Sequence, residues 1–578
     1  MRTLISFLAP YRKECIIGPA FKLLEAILEL LLPTMMALVI NNGVARRDLS
    51  YVLQMGGIML TMTALGFASS MICQYYAARA SQGFGTTLRN RLFEHIGSFS
   101  HAEIDRFGTA SLINRLTNDI NQLQLAVAML IRLVIRAPFI CIGAIIMALI
   151  LDLRLALILL GATPIFAFIL YGVISKAAPL YREYQRKLDR IGLVLRENLS
   201  GVRVIRAFAK TGREQERFEA GAADLTGAAL RVGKIAAMLN PLTSLVMNAA
   251  IIAILWAGGL HIQAGRLSQG EIIAFVNYIT QIMLALIVIS NLVILFTKAF
   301  ASAGRVSEVL AAASSITDPA AEQPAPAEAG VPAVEFDRVS FHYGAGGGAA
   351  LDEVSVAIGA GQTIGVIGGT GSGKSTFVNL IPRFYDATAG EVRVEGINVK
   401  DYPLARLREK IGIVPQRAEL FSGTVAENIR WGRPDASDAE VEAAARIAQA
   451  HDFIRELPGG YQTRVERGGR NLSGGQKQRL TIARAIVAQP RILILDDSAS
   501  ALDFATDAAL RQALRSNRAG MTLIVVSQRV SAIKGADRIL VFDEGRVVGS
   551  GRHDKLMADC EIYREICLSQ LSEEEAKQ

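Results

Sequence analysis

Six long apolar runs, Cys15–Asn41, Leu53–Tyr76, Ala126–Leu151, Leu153–Ser175, Ala236–His261 and Ile272–Lys298, fill the first half of this chain and constrain it more than any other feature. Each holds about 20 residues or more, enough to cross a bilayer. In hydrocarbon every backbone N–H and C=O must find a partner inside the protein, which for runs of this length means helices. A water-soluble enzyme has no use for so many uninterrupted apolar stretches, and a mean hydropathy of +0.33 with 51% hydrophobic residues agrees.

Arg2, Arg12 and Lys13 precede the first run, which is too long for a secretion signal and has no convincing cleavage site. Basic residues there favour a cytosolic N-terminus, and six crossings return the chain to the cytosolic side. The links Asn42–Leu49 and Asp152–Arg154 are short. By contrast, Ala77 to Leu125 and Lys176 to Lys234 are long, charged and helical in pattern, as cytosolic extensions of spanning helices would be. The net charge of +8 is dispersed among acids, which suits loops beside anionic lipid and argues against nucleic-acid binding. Cys15, Cys73, Cys141, Cys560 and Cys567 show neither C-x-x-C nor zinc spacing, so no disulfide scaffold is expected.

Between Ala311 and Pro332 the composition turns to Ala, Pro, Ser and Glu, as in Pro319-Ala320-Ala321-Glu322-Gln323-Pro324, which cannot bury a core. We read residues 1–311 as a membrane domain, 312–333 as a linker and 334–578 as a second domain. Val334-Glu335-Phe336 begins an alternating strand pattern, and Ala345-Gly346-Gly347-Gly348-Ala349 reads as a hairpin turn. Next the apolar run Thr363–Ile367 feeds Gly368-Gly369-Thr370-Gly371-Ser372-Gly373-Lys374-Ser375-Thr376, a fit to G-x-x-x-x-G-K-[ST]. Glycines let successive N–H groups point at phosphate oxygens. Lys374 adds a cation near the β and γ phosphates, Ser375 offers a hydroxyl to magnesium, and Thr376 opens a helix whose positive end faces the nucleotide.

Asn471-Leu472-Ser473-Gly474-Gly475-Gln476 follows, and here the chain resembles the ATP-binding cassette (ABC) family, whose signature is L-S-G-G-Q. The resemblance covers the whole chain and is to half-transporters of the type IV exporter class, similar to multidrug and lipid exporters. It implies an α-helical transmembrane domain of six long helices followed by an α/β P-loop ATPase domain of the ABC type. In that family the signature serine, its glycine amides and the next helix N-terminus bind the γ-phosphate of an ATP held by the opposite domain. One cassette therefore implies a dimer. Carried onto this sequence, the resemblance makes Tyr343 the adenine-stacking aromatic and Gln416, in Val414-Pro415-Gln416, the glutamine that joins magnesium to the membrane domain. It makes Asp496, closing Ile492-Leu493-Ile494-Leu495, a magnesium ligand with Ser375, and Ser500-Ala501-Leu502-Asp503 the loop that reaches the opposite site. ATP and Mg²⁺ are the implied cofactors. Arg106 through Asp119 and Glu197 through Arg206 resemble the exporters' coupling segments, and Thr463 through Gly468 resembles, less closely, the loop before the signature.

Two positions depart from the family. The glutamate expected after the strand-end aspartate, which polarises the attacking water, is Asp497, one methylene short; the histidine of the switch position is Gln528, which can donate a hydrogen bond but not carry positive charge. Together they resemble the degenerate half of heterodimeric exporters, whose own site binds ATP but hydrolyses it poorly. The intact Leu472–Gln476 would then serve a different half-transporter's competent site. A homodimer with two weakened sites is the alternative.

Charged residues within apolar spans are costly and so invite a functional reading. Glu25 and Glu29 share a face of the first span and could attract a cationic compound, although Lys22 is near enough to pair with Glu25. Arg132 and Arg136 favour an anionic lipid or amphiphile, or snorkel to headgroups. Asn248, Asn277, Gln281 and Asn291 could line a pathway or join helices. The expected function is export of hydrophobic or amphipathic compounds across the cytoplasmic membrane, with N-terminus and ATPase domain cytosolic. A lipid or lipopolysaccharide flippase and an ATP-gated channel are the alternatives of the same architecture.

Overall fold

The computed structural model describes residues 2–319, 330–344, 347–517 and 520–570. Residues 320–329 of the expected linker and 345–346 of the expected hairpin turn lie outside them. The chain divides into two compact units, one made of residues 1–98 and 107–313, the other of 99–106 and 314–578.

The first unit is helical. Among the described residues six segments are long and apolar enough to cross a membrane: Ala9–Val44, Leu49–Gly97, Thr109–Leu151, Leu153–Ser200, Thr211–Gln263 and Gln269–Ala311. Polar caps begin the second, fourth and sixth of them: Asp48 accepts from the Tyr51 N–H, Asp152 from the Leu155 N–H, and Ser268 forms a reciprocal box with Glu271. These side chains satisfy N–H groups that the helix cannot, so the chain can reverse within a few residues. All five cysteines are free.

The third span departs from the sequence expectation of one uninterrupted run over Ala126–Leu151. It consists of helices Ile120–Arg132 and Arg136–Leu151 with a turn at 133–135. Pro138 has no N–H to give the Val134 carbonyl, and its ring crowds that turn. Pro19, Pro33, Pro164 and Pro179 lie inside helices that continue, so proline alone does not decide where a span breaks. The sixth span forms the core of this unit, with Phe275, Tyr278, Ile279 and Ile282 fully buried. The Tyr278 hydroxyl donates to the Leu30 carbonyl at 2.9 Å and meets Thr34 Oγ1 at 2.7 Å, fastening the sixth span to the first. Farther along, buried Asp119 accepts from Ser302 Oγ and Arg305 Nε, both at 2.9 Å.

The second unit holds a six-stranded sheet whose strands run in the order Arg546–Gly551, Arg538–Asp543, Thr363–Gly368, Thr522–Val526, Ile492–Asp496 and Ile411–Val414. All neighbours are parallel except the first pair. Ile, Val and Leu fill the central strands because helices cover both faces of such a sheet. A four-stranded antiparallel sheet built on Val334–His342 packs beside it through Phe336 and Phe377, whose rings stack at 4.3 Å.

Residues 99–106 fold with this second unit although they lie between two spans. The short helix is His101–Phe107, a turn earlier than the expected segment beginning at Arg106; Arg115–Asp119 instead forms a π turn in the first unit. His101 stacks on Phe384 at 4.4 Å, and the Tyr385 hydroxyl donates to Asp105 Oδ2 at 2.7 Å. Glu103 accepts from the Ser315 N–H at 3.2 Å. Tyr385→Phe should loosen this docking by about 1 kcal/mol. Amide exchange across 101–107 is expected to rise about five-fold with the strand amides unchanged, as hydrogen-exchange mass spectrometry would register.

Candidate functional site

Parallel strands deliver their carboxyl ends to one edge of the sheet, and that edge carries the site. Val526 stands beside Val366 on one side and Asp496 on the other, so the phosphate loop, the strand-end carboxylates and the switch segment leave the sheet as neighbours. Gly368 admits the loop, since a Cβ there would come within 2.1 Å of the Phe542 carbonyl oxygen. Gly373, at φ +99, caps the helix Lys374–Leu380 in a left-handed conformation that favours glycine. Within the loop Lys374 Nζ donates to the Gly368 carbonyl at 2.9 Å and to Ser372 Oγ at 3.3 Å. Gly369, Thr370 and Gly371 are exposed.

Ser375 Oγ donates to Asp496 Oδ1 at 3.2 Å, and Gln416 Nε2 donates to Asp497 Oδ2 at 3.3 Å. The Gln416 amide oxygen stays available. Ser375 hydroxyl, Asp496 carboxylate and Gln416 carbonyl are hard oxygen donors of the kind magnesium takes alongside nucleotide phosphates. Among the described residues no group of three or more His, Cys, Asp or Glu side chains could hold a metal unaided. The donor set therefore fits magnesium that arrives with phosphate.

Asp497 sits at φ +45, a left-handed conformation uncommon for a residue with a Cβ, and its N–H donates to the Val526 carbonyl at 2.9 Å. Its carboxylate also takes the Gln528 backbone N–H. Burial raises the proton affinity of Asp497 and, with Asp497 as neighbour, of Asp496; burial lowers that of Lys374 against the pull of both carboxylates. The Tyr343 ring is half-exposed, its hydroxyl 3.1 Å from Thr376 Oγ1 and its face edge-on to Tyr385 at 5.4 Å. It offers an aromatic wall beside the helix that follows the phosphate loop.

Ser473 caps the helix Gly474–Val487 in a reciprocal box with Gln476, and Leu472 is buried. Gly475 lies where a Cβ would be 3.1 Å from the Ala501 carbonyl oxygen, so signature and following loop pack together. Asp503 caps the helix Phe504–Ser516 through the Thr506 N–H. Among the described residues no hydrogen bond joins Leu472–Gln476 to the phosphate loop. The signature helix reaches the site indirectly, through Gln478 Nε2 to the Pro415 carbonyl at 3.4 Å.

Two fastenings escaped sequence reasoning. Gln570 Nε2 donates to the Gln528 carbonyl at 2.7 Å while its Oε1 accepts from the Val530 N–H at 3.0 Å, clamping the switch backbone from the far end of the chain. Arg529 donates to the Ser500 carbonyl at 3.2 Å, tying the switch to the loop that ends at Asp503. No local pattern marks Gln570; Arg529 had only its position beside Gln528 to suggest it.

In the membrane unit only part of the expected cargo set falls together. Lys22 Nζ bonds Glu25 at 2.7 Å, and Arg136 Nη2 bonds Glu29 at 2.6 Å. Glu25 and Glu29 are thus paired with cations of the chain itself, the outcome that the nearness of Lys22 to Glu25 had offered, and Arg136 pairs with Glu29 rather than standing free. Gln281 Nε2 reaches the Glu29 carbonyl only at 3.5 Å; Asn277 bonds its own helix at the Ile273 carbonyl; Asn248 and Asn291 are exposed.

Residues 15–286 match the family model for the ABC transporter transmembrane region, and residues 351–500 match the ABC transporter model for the ATPase. An uncharacterised ABC transporter ATP-binding protein of Mycobacterium tuberculosis is 40% identical over 97% of this chain and 96% of its own length. A fatty acid ABC transporter ATP-binding/permease protein of Mycobacterium bovis is 33% identical over 78% of this chain and 71% of its own length. The solved structure of a bacterial Atm1-family ABC exporter with ATP bound superposes with a TM-score of 0.77 at 25% identity, covering 99% of both chains.

Asp497→Asn tests the electrostatics of the site. A carboxylate whose proton affinity is raised by folding adds stability below its unfolded pKa and loses it as pH rises through the folded one. Near neutral pH the nucleotide-free variant should therefore melt about 1–3 °C above the parent protein. The gap should close as pH falls towards about 4. Scanning fluorimetry across that range reads both.

Proposed function

This chain belongs to the ABC transporter family, a multi-pass membrane protein with an ATPase domain, and we propose that it is the degenerate-site half of a heterodimeric exporter. It would move hydrophobic or amphipathic compounds outward across the cytoplasmic membrane, with the ATPase domain in the cytosol. The observation that supports this most is Asp497: the residue in the base position is one methylene short, turned back by a left-handed backbone and engaged by Gln416 and the Gln528 N–H. A general base works only within hydrogen-bond reach of its water, and its assistance is worth about 10²–10⁴-fold.

Each residue then has a task. Lys374 would exchange the Gly368 carbonyl for a phosphate oxygen, Tyr343 would stack on adenine, and Ser375, Asp496 and the Gln416 amide oxygen would hold magnesium. When bound, the metal neutralises phosphate charge and orients the terminal phosphate. Gln528 donates a hydrogen bond to the γ-phosphate without a histidine's charge.

The partner is inferred from surfaces that this chain leaves open. Ser473, Gly474 and Gly475 bear no bond to their own phosphate loop and would close over ATP held by another half-transporter. The short helix Val202–Ala207 is flanked by exposed Leu199 and Phe208 and carries exposed Val204. In the second unit the exposed rings of Phe421 and Trp431, 4.5 Å apart, line a groove of about 580 Å³. In a dimer each such helix would fill the groove of the other half. A lipid cargo is the second reading, favoured by the relative named as a fatty acid transporter.

Magnesium-dependent ATP hydrolysis decides the matter. The purified chain alone should be nearly inactive, and co-purification with a competent half-transporter should raise turnover about 10²-fold or more. Asp497→Glu with Gln528→His should raise turnover of the chain alone towards that of the pair. Full-rate turnover by the unmodified chain alone would make it an ordinary homodimeric exporter.

A further inference from the structure

Both backbone groups of Gln528 are held by side chains from elsewhere in the ATPase unit. Its N–H goes to the Asp497 carboxylate, and its carbonyl accepts from Gln570 Nε2 at 2.7 Å while Gln570 Oε1 takes the Val530 N–H at 3.0 Å. One side-chain amide therefore closes a ring around Arg529, which is extended at φ −92°, ψ 121° and donates to the Ser500 carbonyl at 3.2 Å. The Gln528 side chain is exposed, and no hydrogen bond among the described residues engages it.

The grip has a fixed origin. Gln570 follows the helix Glu561–Leu568, whose Tyr563 and Cys567 are fully buried, with the Tyr563 hydroxyl 2.8 Å from His553 Nδ1. The Gln570 N–H donates to the Cys567 carbonyl at 3.1 Å, which tethers it to that helix. On the other side the Ser527 N–H donates to the Val366 carbonyl at 3.0 Å, so the switch peptide is held between the strand that feeds the phosphate loop and the last helix. Gln528 needs such a hold more than a histidine would. A charge attracts phosphate over a range of distances and angles, whereas a neutral N–H loses its bond steeply once it is out of line.

We propose that Gln570 is a positioning residue that sets this site's preference for ATP over ADP, by holding the Gln528 main chain where the Gln528 side-chain amide meets the γ-phosphate. This rests on the reading of Gln528 as the switch residue. ADP has no γ-phosphate, so its binding does not register the clamp.

Dissociation constants of the full chain in nanodiscs for magnesium-ATP and magnesium-ADP, measured by displacement of N-methylanthraniloyl-ADP, test this. Gln570→Ala and Gln570→Glu should each lower the preference for ATP about five-fold with ADP affinity unchanged. The glutamate keeps the acceptor for Val530 but has no N–H for the Gln528 carbonyl, and as a near-isostere it carries the test should the alanine variant fail to fold. Gln528→Ala should lower the preference as well, and adding Gln570→Ala to it should change nothing further, since Gln570 acts only through Gln528. In the nucleotide-free protein, amide exchange across 529–531 should rise about five-fold in Gln570→Ala. Equal weakening of ATP and ADP by Gln570→Ala would mean that Gln570 only holds the fold together, and would overturn the inference. So would losses that add in the double variant, or an unchanged preference in the Gln570 variants while Gln528→Ala lowers it. An unchanged preference in Gln528→Ala would overturn the switch reading itself, and the inference with it.

Discussion

Hydrocarbon supplies no hydrogen-bond partner, and the membrane half of this protein is organised by that fact. Six helices satisfy their own backbones, and the groups left over at the reversals go to Asp48, Asp152 and Ser268. Where the rule is strained, at Pro138, the third span divides, and the charged residues of the first and third spans gather close to that division. Tyr278 and Asp119 then join spans by polar contacts whose alternatives in a buried setting would be unsatisfied groups.

The ATPase half answers to a different constraint. A parallel ladder that sets Val366, Val526 and Asp496 side by side brings together segments more than a hundred residues apart in sequence, so the chemistry needs no long-range design beyond strand order. Around that edge, the fastenings are backbone-directed. Gln570 grips the switch through its main chain, and Arg529 grips the neighbouring loop through a carbonyl. Such contacts hold a segment in place without specifying its side chain, which is compatible with Gln528 in a position where the family has histidine.

Asp496 and Asp497 also illustrate how a site trades stability for use. Two carboxylates are held close together and partly buried, and both bind protons more tightly than free aspartate. A cation held beside them would relieve that cost. Residues 99–106, which lie between two spans, dock within the second unit beside Tyr385, itself in contact with the Tyr343 ring.

The sequence by itself determined the six spans and the order of a membrane part followed by an ABC ATPase part, and it carried the motifs from Gly368 to Asp503 on which the nucleotide-site reading rests, because apolar length and glycine-rich spacing are local properties. It also exposed Asp497 and Gln528, since a departure from a pattern is visible wherever the pattern is. The Lys22–Glu25 pair, three residues apart on one helix, was legible in the sequence; only the tertiary structure decided that Glu29 is spent on Arg136, for pairing across helices depends on which faces meet. Likewise the third span's break was hidden among other prolines with a similar local signal, and the first docking helix fell at His101–Phe107 because packing against Phe384 and Tyr385, not charge pattern, selects the segment. The role of Gln570 came from the fold alone: its partners at Gln528 and Val530 are forty residues away along the chain, and no propensity records a contact of that range.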